Sequence, residues 1–252
     1  MAYDEGVERY RQMQKRQYSS VPAEDGQMMD HVVGCFGEHE KYPYEKFLLS
    51  HFPIPDAPPT ALDFGCGPGR MIRRMALVTP PFERVDGVDI SPTCIETAQR
   101  WTADLRFKPE LYVNDGVVLD GIPSDTYDLV YSTIAFHHIN VYETRMSLLR
   151  EFFRVLKPGG RIAIQMFYTT SPRAAWHMHT DWRESNYDAN LTNGYHDVRI
   201  TPDNLPQVAA DVLSIGFTEF DHVIAPYPPP PHPKGPSETD WVFLYARKPD
   251  AV

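Results

Sequence analysis

The run Ala61-Leu62-Asp63-Phe64-Gly65-Cys66-Gly67-Pro68-Gly69-Arg70 constrains the fold of this chain more than any other stretch. An apolar strand carries an acidic residue at its end, glycines follow at every second position, and a helical segment begins directly after them. Glycine lets the backbone turn tightly and lets a ligand approach main-chain atoms. A dinucleotide-binding turn spaces its glycines as G-x-G-x-x-G. Here Gly65, Gly67 and Gly69 give G-x-G-x-G, and Arg70 stands where the third glycine of that pattern would be. Asp63 would repel a pyrophosphate and suits a cationic or zwitterionic ligand instead.

Alternation of strand and helix patterns from 60 to 168 extends this beginning into a sheet. Thr60–Phe64, Arg84–Ile90, Glu110–Val113, Tyr127–Ser132 and Arg161–Tyr168 read as strands. Arg70–Val78 reads as a helix, and Ser91 and Pro92 read as the N-cap and first residue of another that runs to Trp101. Leu148, Leu149, Phe152, Val155 and Leu156 recur at helical spacing, and Lys157-Pro158-Gly159-Gly160 ends that helix. Such alternation predicts an α/β fold, a mostly parallel sheet with helices on both faces. Later in the chain, Leu205–Leu213 reads as a helix capped by Asn204, and Thr218–Tyr227 and Asp240–Arg247 as two final strands. Met28–Val33, Tyr44–Leu49 and Val7–Tyr18 give residues 1–50 a helical character, and Gly34-Cys35-Phe36-Gly37 interrupts it. Pro53, Pro55, Pro58 and Pro59 form a stiff linker. The expected organisation is a helical cap with its linker at 1–59 and a core at 60–252.

At 252 residues the chain is long enough for one large domain with appendages. No apolar stretch approaches the ~20 residues of a membrane span, and Met1–Tyr10 is too polar for a secretory signal. The formal net charge of −10 argues against nucleic acid as a partner. The short basic run Arg9, Arg11, Lys15 and Arg16 reads as a solvated helix face. Cys35, Cys66 and Cys94 have neither paired metal spacing nor an even count, so a reducing cytoplasm is the expected setting. Cys66, Cys94 and Trp101 read as packing residues. The proline-rich stretch Pro226–Pro236 reads as a rigid connection.

The order of these motifs resembles that of class I S-adenosylmethionine-dependent methyltransferases, at motif level over about residues 60–168 and in element order through 247. The resemblance implies a Rossmann-like seven-stranded sheet with its last strand antiparallel. It implies S-adenosyl-L-methionine as cofactor, with Asp63, Gly65, Cys66, Gly67 and Gly69 against its methionine part and Asp63 orienting the ammonium group. Asp89 matches the acid that accepts both ribose hydroxyls, and Ile90 would pack on the adenine ring. Asn114-Asp115-Gly116 matches the acidic turn in which Asp115 meets the adenine amino group. Tyr127–Ser132 and the following Thr133-Ile134-Ala135-Phe136-His137-His138-Ile139 resemble the fourth motif, which places Ser132 by the cofactor. No Asn/Asp-Pro-Pro-Tyr tetrad follows the fourth strand, which disfavours nucleobase and glutamine amide acceptors.

The acceptor is expected to be a small molecule methylated on oxygen or nitrogen, with a sugar as one candidate. A proton must leave an alcohol or ammonium acceptor, and His137 or His138 is the candidate base. The acceptor pocket is expected from the variable parts: the N-terminal tyrosines, Tyr10 and Tyr18 among them, and an insertion at about 169–200 acting as a lid with Trp176, His177 and His179. The alternating His177-x-His179-x-Asp181 has metal-ligand composition. With no fourth ligand identifiable, a polar lid without a metal is expected. A non-catalytic subunit that keeps the fold, and an RNA or protein methyltransferase, are the alternatives. A homodimer is compatible with this reading.

Overall fold

The computed structural model describes residues 2–19, 42–53, 56–79, 81–170, 179–188, 197–226 and 239–251. Met28–Val33, the Gly34–Gly37 break, Trp176, His177 and most of the proline-rich stretch lie outside the described residues. Five parallel strands lie in the order β3 (Leu111–Val113), β2 (Arg84–Asp89), β1 (Thr60–Phe64), β4 (Tyr127–Ser132) and β5 (Leu156–Thr169). β9 (Thr239–Arg247) continues antiparallel to β5, and β8 (Thr218–Pro226) closes that edge antiparallel to β9.

The strands bury both faces, as a parallel sheet between helices must. Leu62, Phe64, Val130, Ile162 and Ile164 meet Leu148, Leu149, Phe152 and Val155 of α5 (Tyr142–Val155) and Val208 and Val212 of α6 (Leu205–Ser214). The alternate positions Ala61, Val85, Leu129, Tyr131 and Ala163 meet the other side. There stand Tyr44 and Leu48 of α2 (Tyr44–Leu48), Met71, Ile72 and Met75 of α3 (Arg70–Met75), and Ile95 of α4 (Pro92–Trp101). Each fully buried Leu, Val or Phe on the α5 stripe stabilises the fold by about 1.5–3 kcal/mol. Ser91 caps α4 as expected, its Oγ accepting from the Cys94 amide at 3.2 Å.

Four expectations need correction. Among the described residues the sheet has nine strands where seven were expected, because the insertion after β5 contributes β6 (His179–Thr180) and β7 (Asp197–Ile200). β5 begins at Leu156, which pairs with Tyr127, so the Lys-Pro-Gly-Gly segment already belongs to the strand. Asn204 stands at the N-cap of α6, but its side chain accepts from the Thr201 amide at 2.8 Å and closes the preceding turn instead. Trp101 is 40% exposed at the end of α4 and packs into neither face.

The length of β5 positions the site. β4 pairs with its first half, at Arg161–Ile164, and then turns away. β9 occupies the other edge from Arg161 to Thr169, so the upper half of β5 has a free edge above the end of β4. β7 takes it, with Phe167 and Tyr168 in register with Arg199 and Ile200. The insertion is thereby held directly over the loop that leaves β4. From the opposite end of the chain, α1 (Ala2–Ser19) reaches the same edge.

Candidate functional site

The carboxyl ends of β1, β2, β3 and β4 converge where open α/β sheets bind ligands. The glycine turn closes this edge. Gly65 has φ 70°, and a Cβ there would come within 2.3 Å of the Ala135 Cβ. Only glycine lets the β1 turn and the post-β4 loop touch. Asp63, at the end of β1, is 1% exposed, and its Oδ2 is buried with no hydrogen-bond partner. Burial raises its pKa to about 8, with Arg70 opposing the rise, Asp89 adding to it and the neighbouring Tyr131 hydroxyl opposing it. A buried carboxylate oxygen without a donor is costly in the free protein and complementary to a cation.

Asp89 ends β2 and ties the crevice together. One oxygen accepts from the Gly67 amide at 2.9 Å and the other from the Ser91 amide at 2.8 Å. Each oxygen keeps a lone pair for a further donor. Burial raises its pKa, and the Ser91 and Gly67 amides counter it. Asn114, after β3, is 8% exposed and its Nδ2 is buried without a partner among the described residues. Ile90 lies over Gly116, where a Cβ would meet its Cδ1 at 2.9 Å. Cys66 is buried, and burial pushes its thiol up, so it packs rather than reacts. Ser132 is fully buried and donates to the Phe64 carbonyl at 2.9 Å, a joint between β4 and β1.

Leaving β4, the chain passes through Ile134 at φ 52° and enters a single 3₁₀ turn, Phe136–His138. The two histidines have different surroundings. His137 is fully buried, its ring 4.5 Å from Phe167 and 5.9 Å from Trp241. His138 keeps 19% of its side chain exposed, and its Nδ1 lies 2.5 Å from Oδ1 of Asp197, which is 3% exposed. Tyr18 of α1 stands beside it, ring centroids 6.3 Å apart. One ring nitrogen of each histidine and one carboxylate oxygen of Asp197 lie within 4.8 Å of one another. Asp197 went unrecognised in the sequence. Its only signal is the alternation of Val198 and Ile200 in a segment otherwise without period.

Several expected residues have work beyond ligand contact. Tyr10 is 2% exposed, and its hydroxyl donates to the His138 carbonyl and accepts from the Asn140 amide at 2.7 Å and Gln14 Nε2 at 2.8 Å. With its hydroxyl so engaged, Tyr10 anchors α1 instead of facing an acceptor. Asp115 Oδ1 accepts from the Val117 and Val118 amides, and its Oδ2 pairs with Arg11 at 3.0 Å. This carboxylate shapes its own turn and holds α1 down. His179 lies in β6 in backbone register with Asp197. Asp181, the third member of the expected histidine run, pairs with Arg199 at 2.8 Å.

The insertion is tied to the core by Arg145, fully buried on α5. Its guanidinium donates to the carbonyls of Ile139, Trp182 and Glu184, and lies 5.3 Å from the Trp182 ring. Burial lowers its pKa to about 10. Trp182 in turn donates its Nε1–H to Asp211 at 2.8 Å.

Residues 61–160 match a family model described as a methyltransferase domain. An uncharacterized methyltransferase of Mycobacterium tuberculosis is 32% identical over 130 residues, 51% of this chain and 61% of that protein. A demethylmenaquinone methyltransferase of Symbiobacterium thermophilum is 32% identical over 140 residues, 55% of this chain and 53% of that protein. The chain thus spans about three fifths or less of the curated relatives it matches. Among solved structures, the cyclase SpnF superposes with a TM-score of 0.64 at 15% identity, over 94% of this chain and 97% of that one.

Proposed function

We propose that the chain, whose residues 61–160 match a methyltransferase domain, is a class I S-adenosylmethionine-dependent methyltransferase that methylates an oxygen or nitrogen of a small-molecule acceptor. The observation that supports the cofactor's place is the buried carboxyl of Asp63 at the foot of the crevice, whose Oδ2 has no geometric hydrogen bond among the described residues. An α-ammonium group supplies the missing donor. The lone pairs left on Asp89 suit two ribose hydroxyls, the free Nδ2 of Asn114 suits an acceptor on the adenosyl moiety, and Ile90 gives an apolar face to the ring. The donor set therefore fits S-adenosylmethionine. When bound, that cofactor supplies a sulfonium methyl group open to in-line displacement.

The protein contributes orientation, dryness and proton handling. Of the two histidines, His138 is the one with an exposed surface, and it is assigned the proton of the acceptor. His137 packs the loop. Tyr18 borders this side, and the 169–200 insertion, with Trp176, His177 and His179, is proposed as the acceptor lid on the sequence alone. The demethylmenaquinone relative, named for a small-molecule acceptor, supports this substrate class.

Titration calorimetry of the purified protein with S-adenosylmethionine, S-adenosylhomocysteine and NADH tests the reading. Micromolar binding of the two adenosyl ligands and none of NADH is expected. Asp89→Ala should abolish it, and an unchanged affinity would show that the end of β2 does not hold the ribose. Transfer of a tritiated methyl group to small molecules, and not to protein or RNA, completes the test.

A further inference from the structure

We infer that the chain carries a second ligand site, separate from the cofactor crevice, that takes a small organic oxyanion: a phosphate or carboxylate head on an apolar body. The site is a cleft of about 460 Å³ beside α5, walled by Val7 of α1, Val117 of the loop after β3 and Ser214 of α6. That volume is in the range that small-molecule sites occupy. Asp63, Asp89, Asn114 and the two histidines, which form the crevice, all lie outside it. The site stands independently of the methyl-transfer reading.

Thr144, in the first turn of α5, lines this cleft and is 3% exposed. A threonine within a helix can return its hydroxyl to the carbonyl four residues back. Here that carbonyl, on Asn140, receives the Asn186 amide at 2.9 Å. Thr144 Oγ1 is buried with no hydrogen-bond partner among the described residues. An orphaned buried hydroxyl costs stability that the methyl group of a valine would not. A ligand that completes the bond offsets that cost.

The open valences of the cleft belong to donors. Ser147 follows Thr144 by three residues and Arg150 follows Ser147 by three, so each can reach the next along α5. Arg150 is exposed and makes no ion pair among the described residues. The two acids of the cleft, by contrast, already have their donors. Glu143 accepts from the Ser185 hydroxyl and from the Tyr187 hydroxyl at 3.4 Å. Asp211 accepts from Trp182 Nε1 at 2.8 Å and from Arg183 Nη2 at 2.6 Å. A cation entering the cleft would compete with those donors, whereas an oxyanion meets a guanidinium and two hydroxyls. Val7, Val117 and Met146 add apolar wall, which calls for an organic body behind the head.

Phenyl phosphate, benzoate and phenol test this with one ring and three head groups. Each is titrated into the full-length protein and followed by ¹H–¹⁵N spectra. Phenyl phosphate or benzoate should shift the Thr144 and Ser147 amides and the Arg150 Nε–H, with a dissociation constant of about 1 mM. Phenol should bind at least about tenfold more weakly. The tighter of the two anions identifies the head group. T144V removes the orphaned hydroxyl, so Tm should hold or rise while anion affinity falls about tenfold or more. R150Q, an exposed change, should weaken the anion at least as much and leave S-adenosylmethionine affinity unchanged. The same shifts should appear with S-adenosylmethionine present. Phenol binding as tightly as the anions, shifts confined to the glycine turn or erased by S-adenosylmethionine, or wild-type anion affinity in T144V or R150Q would each overturn the inference. So would unmoved signals at all three residues up to about 20 mM of both anions. Failure of S-adenosylmethionine to bind in calorimetry removes the methyl-transfer reading alone, because the shifts at Thr144, Ser147 and Arg150 report this cleft directly.

Discussion

Burial of Asp63 holds its pKa near 8, so at pH 7 the ligand-free carboxyl is mostly protonated. An ammonium group against Oδ2 favours the ionised form, so binding must expel a proton. Calorimetry at pH 7 in buffers of different ionisation enthalpy should show release of most of one proton on S-adenosylmethionine binding, fading above pH 9. Asp63→Asn should abolish the release and weaken binding. Stability follows with a definite sign. Between the ordinary carboxylate pKa of 3.8 and the native value of about 8 the folded state binds more protons than the unfolded, so stability falls as pH rises through that window. Melting temperatures of Asp63→Asn should lack this decline, leaving the variant more stable than the wild type at pH 8. Strain sits one loop away. Ile134 is β-branched at φ 52°, a conformation that costs about 1–3 kcal/mol. Fully buried Gln165 secures it, its Oε1 accepting from the Ile134 amide at 2.7 Å. Gln165→Leu strands that amide and should cost about 1–3 kcal/mol in urea denaturation.

At the scale of elements, the sequence was readable where periodicity is strong and opaque where elements are short. Thr60–Phe64, Tyr127–Ser132 and the Ser91-capped helix stand within a residue of expectation, because alternation, a cap and a proline each fix a boundary physically. β6 has two residues and β7 four, too few for a period, and the pairing of β7 with β5 depends on β5 outrunning β4. The carboxylates at the strand ends were legible for the same reason the strands were. The partner of His138 was not, since it is 59 residues away in sequence. Nor was the role of α1, whose polar face conceals how it attaches. Tyr10 donates into the loop after His138 and Arg11 spans to Asp115, so α1 is bound to the ends of β3 and β4. The phenol is pushed up to about 12 by burial and stays a donor at any working pH. Tyr10→Phe leaves the Asn140 amide without its acceptor and should cost about 1–3 kcal/mol. Hydrogen exchange should then quicken along residues 5–19 while β1 and β4 stay protected; equal exchange in both proteins would mean that Arg11 alone holds the helix.

For the whole molecule, the decisive joint lies between the sheet core and the insertion, and Arg145 occupies it. A fully buried cation is unfavourable unless hydrogen bonds replace its lost hydration. Here three backbone carbonyls do so for its two terminal nitrogens, one from the loop after the 3₁₀ turn and two from the insertion at Trp182 and Glu184. No carboxylate oxygen lies within ion-pair distance of this guanidinium among the described residues. The lowered pKa, about 10, records the burial. The planar fork reaches acceptors in three directions, which a lysine ammonium on a single stem cannot match. Arg145→Lys should therefore behave as a loss rather than a conservative change, and Arg145→Met, which removes the charge but strands the carbonyls, should resemble it. Either substitution is expected to cost about 3 kcal/mol, a fall in Tm of roughly 6–12 °C for a chain of this size. The site gives a second, sharper readout. Trp182 and the 181–187 segment would loosen first, and with them the docking that brings Asp197 to His138. Cofactor affinity, which the proposed reading assigns to Asp63 and Asp89 on the far side of the crevice, should survive in both variants at temperatures below their melting, while methyl transfer falls. Parallel loss of cofactor binding and turnover would instead show that Arg145 supports the sheet edge as a whole.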